Sequence, residues 1–150
     1  MIFDDSDKKA DARVELLLEA IENKDKDTLH AMFSEHVLSE IDSFTESIDD
    51  LFHYFQGSIQ SKERGPRSGR DERNVDGIGN RRTKIITTYT ITTSKQEYRI
   101  AIYDVINDAA NPSNVGIQSL CIISTEDDQE SEFTFWGSSN EGINIGKSLQ

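Results

Sequence analysis

One cysteine, two prolines and only 16 basic side chains against 28 acidic ones occur in 150 residues. A lone cysteine excludes an intrachain disulfide, so a hydrophobic core must hold the fold, and a chain of this length can build one as a single domain, residues 1–150. Cys121 falls in an alternating run with Ile117, Ser119 and Ile123, where a small buried hydrophobe is expected, and no adjacent base marks it as a reactive thiol. The scarcity of bases leaves a net charge of −12, which argues against nucleic acid and against anionic membrane surfaces as partners. No apolar run approaches the ~18 residues of a membrane span. The opening MIFDDSDKKA is charged almost at once and lacks the apolar centre of a signal peptide.

Nucleotide and metal motifs are also missing. Gly142 to Ser148 imitates a phosphate loop, but three residues separate Gly142 from Gly146 where four are needed, and no room for a helix follows. Gly77-Ile78-Gly79 lacks the third glycine of a dinucleotide turn. Asn74 to Gly77 resembles part of a calcium loop, yet Thr83 stands where the bidentate Glu belongs. Asp49 and His53, one helical turn apart, could form an ion pair or supply two metal ligands, but no third ligand is evident, and His30 and His36 have no useful spacing. The expectation is no metal and no cofactor.

What the chain does contain is helical periodicity followed by strand periodicity. Ala10, Val14, Leu17, Leu18 and Ile21 form one apolar stripe over Asp7 to Asn23, with Glu15, Glu19 and Glu22 off it. Asp25 or Asp27 can cap a short helix carrying Leu29, Met32 and Phe33, and one more turn can hold Val37 and Leu38. Ser43 to Glu46 has the capping-box pattern, and the helix it opens places Phe44, Ile48, Leu51, Phe52 and Phe55 on one face before Gly57 stops it. Helices are thus expected over about 7–57, and the aromatic-rich last one should dominate the core.

Ser58 to Arg64 alternates but is polar, as an edge strand would be. Residues 65–80 hold almost no apolar side chain and read as a long mobile loop. From 81 to 136 the chain reads as antiparallel strands: Arg81–Thr93, Gln96–Asn107, Val115–Ser124 and Glu132–Trp136, separated by turn residues. Gln96–Asn107 is apolar on both faces, as a strand covered on both sides would be. Residues 137–150 form a polar tail. The fold class is α+β, with N-terminal helices packed in an antiparallel sheet. The segment from Lys62 to Lys84 is basic within an acidic protein, either a loop attracted to its acidic surroundings or an anion-binding flap.

Asn23 to Asp27 followed by Leu29 and Met32-Phe33 resembles the helical hook of the nuclear-transport-factor-two-like (SnoaL-like, cystatin-like) superfamily. Ile41 to Gly57, with Asn111 to Gly116 and Phe133 to Gly137, resembles an uncharacterised domain-of-unknown-function family of secreted or lipid-anchored proteins from Gram-positive bacteria. The similarity runs from about Asp7 to Gly137. It implies a strongly curved sheet closed around the helices as a cone, a pocket at its open end, frequent homodimers and often a lipoprotein leader. Enzymes of the superfamily place Asp, His or Tyr inside the cone, but none of their catalytic sets maps onto this sequence.

Asp104 is the one catalytic candidate. It shares a pleat side with Ile100 and Ile102, which either faces the cone interior, making Asp104 a carboxylate of raised pKa and a candidate general base, or forms an outer, dimer-facing side with Asp104 at its rim. Tyr54, Tyr89, Tyr103 and Trp136 are ligand-pocket candidates, their polar tips able to bond a ligand within an apolar wall; the same positions also suit plain core. Three functions remain open. The first is a non-catalytic extracytoplasmic binding domain for a small apolar or amphipathic ligand or a partner protein. The second is a cone-pocket enzyme with Asp104 as base. The third is a structural homodimerisation domain, paired through the free apolar face of the strands Gln96–Asn107 and Val115–Ser124.

Overall fold

A computed structural model describes residues 6–65, 69–74, 81–126 and 141–145. Four helices come first: α1 (Ser6–Asn23), α2 (Lys26–Met32), α3 (Glu35–Glu40) and α4 (Phe44–Tyr54). Six strands follow: β1 (Ile59–Arg64), β2 (Gly69–Asn74), β3 (Arg81–Thr93), β4 (Glu97–Asp108), β5 (Gly116–Ser124) and β6 (Gly142–Ile145). The protein is α+β, with an open mixed sheet in the order β1-β3-β4-β5-β6 and β2 also paired with β3.

The helices start where short polar side chains offer the first turn an acceptor. Asp25 accepts from the Thr28 amide at 3.2 Å and from its hydroxyl at 2.6 Å, and Ser34 accepts from the Val37 amide at 3.2 Å. The capping box at Ser43 does not form: Ser43 makes no side-chain cap bond, because its turn-like backbone (φ −97°, ψ 25°) differs from the extended one that aims a capping side chain at the helix. Ser43 instead accepts from Ser47 through its carbonyl. Gly57 does take a positive φ of 90°, but three residues past the end of α4, where a Cβ would meet Thr93, Ser94 and Lys95 at the β3–β4 turn.

The predicted stripe of α1 is buried, and so are Phe44, Ile48 and Leu51 of α4 and Phe55 just past its end; Phe52, expected on the same face, is only half-buried. Apart from Ala10, which packs with Ile85 and Ile106, the buried ones join Leu29, Phe33 and Val37 in one cluster with Ile91, Tyr98, Ile100, Ile102, Leu120 and Ile122 of the sheet. The load is shared between helices: α1 lies over β3 and β4, while α4 lies beside α2 and β6.

Two stretches depart from the sequence reading. β2 occupies residues inside the expected 65–80 loop. β4 fills one side of β3, so β1 and β2 succeed each other along its other edge, Arg64 opposite Tyr89 and Gly69 opposite Ile86. Backbone pairing to a long neighbour builds this strand without any apolar residue to announce it. In the expected tail, β6 pairs parallel to β5, so the sheet is mixed rather than wholly antiparallel. The expected strand Glu132–Trp136 lies outside the described residues.

Bulges interrupt the ladders between Thr83 and Lys84 on β3 and between Tyr103 and Asp104 on β4. At the second, Ser119 faces Tyr103 and Ile117 faces Asp104, so Gln118 is the extra residue. The predicted single face of Ile117, Ser119, Cys121 and Ile123 is therefore split: Ile117 joins the helix-side core, and Cys121 and Ile123 join Ala101 and Tyr103 on the opposite face. That opposite face is already buried within the one chain. At the two ends of the basic stretch Lys62 pairs with Glu15, Arg64 lies 3.6 Å from Asp11, and Arg82 lies 3.9 Å from Asp108, while its remaining arginines have side chains outside the described residues.

Candidate functional site

Asp104 projects from the helix-facing side of β4, flanked by Ile85 of β3 and Ile117 of β5. It is 2% exposed. Its carboxylate accepts a hydrogen bond from the guanidinium of Arg13, carried over by α1. Burial disfavours the ionised form more strongly than the charge and hydrogen bond of Arg13 restore it, and the pKa is pushed up to about 6. Of the two placements open from sequence, the structure gives the inward one and corrects the outer rim. It also supplies a partner 91 positions away, which no local pattern signals.

A general base must come within hydrogen-bond reach of the proton it removes. Arg13 stands between Asp104 and the outside, and Arg13 is the one that lines a groove. This groove, about 410 Å³ in volume, is bounded by Lys9, Arg13 and Leu16 of α1, Met32 and Phe33 at the end of α2, and Val115 and Gly116 at the start of β5. Its walls include the two most exposed large hydrophobics among the described residues, Leu16 at 52% and Val115 at 36%. Gly116 brings the walls together. Its φ of 131° and bare Cα let β5 run against the backbone of Phe33 and Ser34, and the Ser34 amide donates to the Ile117 carbonyl at 3.0 Å.

The tyrosines do not converge. Tyr54 lies at the end of α4, where its hydroxyl accepts from the Ser124 amide at 2.8 Å and its ring borders an open hollow with Asp50, His53 and Ile145. Tyr89 sits on the helix side of β3, half-buried, its hydroxyl pKa raised by burial and then by Asp11. Tyr103 lies on the opposite face of the sheet with the Lys84 ammonium 4.8 Å from its ring centroid, and burial raises its pKa. Trp136 lies outside the described residues. Asp49 is 2.7 Å from Lys26 rather than engaged with His53, and no cluster of three His, Cys, Asp or Glu side chains suited to a metal occurs among the described residues. Cys121 is buried, and its thiol pKa is pushed up to about 11, mainly by burial, so it is a poor nucleophile.

Sequence reasoning passed over Tyr98, which organises the end of α4. Its hydroxyl donates to the Tyr54 carbonyl at 3.0 Å and accepts from the Gln56 amide at 2.9 Å, and its ring stacks on Phe55 at 4.9 Å. We expect Tyr98→Phe to cost about 1–2 kcal/mol, because the Gln56 amide loses its acceptor. Urea denaturation with an unchanged m-value measures this, and a loss below ~0.3 kcal/mol would contradict the hub role. Lys9, Arg13 and Leu16 were also passed over, although their spacing (i, i+4, i+7) puts them on one flank of α1 beside its core stripe.

No curated protein matches the chain. A family model does match it over residues 16–125, from Leu16 in the middle of α1 to just beyond β5, a span that contains Asp104, Val115 and Gly116. The chain belongs to the family described as Domain of unknown function (DUF5104).

Proposed function

We propose that the chain is a non-catalytic, extracytoplasmic binding domain that holds a small amphipathic molecule in the groove between α1, the end of α2 and the start of β5. One observation carries the proposal: Leu16 and Val115, the large apolar side chains most open to water among the described residues, meet across one concavity of about 410 Å³. Scattered exposed hydrophobics need no explanation, but two that share a concavity of ligand size do. The cone architecture is part of the same proposal. Helices packed on one face and strand bulges, which bend and twist a sheet, support it. The extracytoplasmic placement rests on the resemblance to secreted and lipid-anchored proteins. A partner protein or a second copy is the competing occupant of the groove.

The test is a titration of isotope-labelled protein with decanoate and with decyl maltoside, followed by amide resonances. The expected result is saturable shifts at Leu16, Met32, Val115 and Gly116 that Val115→Asp removes. Absence of saturable shifts there with both amphiphiles overturns the proposal. A second reading, acid–base catalysis by Asp104, is favoured by its pKa of about 6 and opposed by the Arg13 cover. It would require a turnover that Asp104→Asn abolishes and whose pH profile breaks near 6.

A further inference from the structure

We infer that the polar end of the groove is an anion site, in which Lys9 and Arg13 together hold the carboxylate or phosphate headgroup of a single-chain amphiphile. This rests on the binding role proposed above and names the chemistry of the ligand.

Among the described residues, the side chains lining the groove are Lys9, Arg13 and otherwise apolar or small ones, with no acid. That is notable in a chain of net charge −12. Three other basic residues near the helices are matched with acids, Lys26 with Asp49, Lys62 with Glu15 and Arg64 with Asp11, while Lys24 donates to the Phe52 carbonyl. Lys9 has no acidic partner among the described residues, and its side chain is exposed. Lys9 and Arg13 are four residues apart on α1, so their stems lie on the same flank within about 6 Å of each other. That spacing suits two cations that close on one headgroup.

Arg13 is prepared for the task by Asp104. A guanidinium carries five N–H donors in a rigid fork. The bond to Asp104 uses the Nη1 nitrogen of Arg13, and among the described residues Arg13 has no other hydrogen-bond partner. Its side chain remains 24% exposed, so donors are left facing the groove. The buried carboxylate anchors the fork in place, which lowers the entropy lost when an anion binds. Leu16 lies one turn beyond Arg13, where the apolar tail would run, with Met32 and Val115 as the other walls. At about 30 Å³ per water-sized group, 410 Å³ holds roughly 14 heavy atoms. That is the size of a medium-length single-chain amphiphile.

The experiment is calorimetric titration at low salt with decanoate, decyl phosphate and decyl maltoside, on the wild type and on Lys9→Gln, a substitution at an exposed position that leaves the core untouched. The expected result is that one or both anionic amphiphiles bind at least tenfold tighter than the maltoside, and that Lys9→Gln removes most of that advantage. The tighter of the two anions identifies the headgroup. Equal affinity for all three overturns the anion site while leaving the groove as an amphiphile site. An anion preference that survives in Lys9→Gln also overturns it, because the charge would then be read elsewhere. Binding of none overturns both the anion site and the binding role.

Discussion

Gly116→Ala should destabilise the protein by roughly 3–5 kcal/mol. Two costs add. The φ of 131° belongs to a region open almost solely to glycine, and holding alanine there costs on the order of 1–3 kcal/mol. The new Cβ would also sit 2.7 Å from the Ser34 amide nitrogen and 2.9 Å from its Cα. Those are backbone atoms fixed by the Ser34–Ile117 hydrogen bond and by the Phe33–Ile117 bridge, so the clash cannot be relieved by rotating a side chain. Against a domain stability of about 5–15 kcal/mol, that is a large fraction. The same movement would part α2 from β5 and widen the groove, so amphiphile affinity should fall as well. Urea unfolding decides it, and a loss under ~1 kcal/mol would show that β5 does not need this approach.

The second large effect depends on pH. Asp104 has a folded-state pKa of about 6 against a reference value of 3.8. Between those values the folded protein binds more protons than the unfolded one, so the Asp104 contribution to stability is present at low pH and is lost as pH rises from about 4 to 6. The shift of roughly two units corresponds to about 3 kcal/mol. Asp104→Asn keeps the shape and cannot ionise, and Arg13 is exposed enough to turn to water. The stability of the wild type minus that of Asp104→Asn should therefore fall by up to about 3 kcal/mol from pH 4 to pH 7. Other carboxylates titrate alike in both proteins and cancel in the difference. A difference that stays level across this window would mean that Arg13 fully compensates the burial of the charge, and one that rises with pH that it more than does so.

Much of the architecture could be read from local pattern. The stripe Ala10–Val14–Leu17–Leu18–Ile21 is buried as its spacing predicted, since a helix has only one way to hide such residues. So is the stripe Phe44–Ile48–Leu51–Phe52–Phe55, apart from Phe52, which is half-buried. The long strands β3 and β4 declared themselves by β-branched and aromatic alternation, and β4 is buried on both faces as its two apolar sets required. The candidate site was legible only in part. Asp104 stood out as an acid in an apolar strand. Its orientation could not be resolved from sequence, because apolar side chains on both sides of β4 left either face as a possible interior. Of the pocket tyrosines, Tyr54 and Tyr103 lie on different sides of the sheet, since alternation says which residues share a face but not where along the sheet they fall.

The amino-acid sequence by itself determined the α+β class, the helical and strand segments with strong periodicity, the inert position of Cys121 and the acidic balance of the chain. Only the tertiary structure decided the strand β2, the parallel pairing of β6, the extra residue at Gln118 and the joining of Arg13 to Asp104. The division has a physical cause. Periodicity is a property of neighbours along the chain, which hydrophobic burial selects directly. Register, edge pairing and ion pairs between distant residues depend on which backbone groups and charges the folded surfaces bring together, and a polar strand such as GRDERN is held by its neighbour's amides and carbonyls rather than by anything in its own pattern.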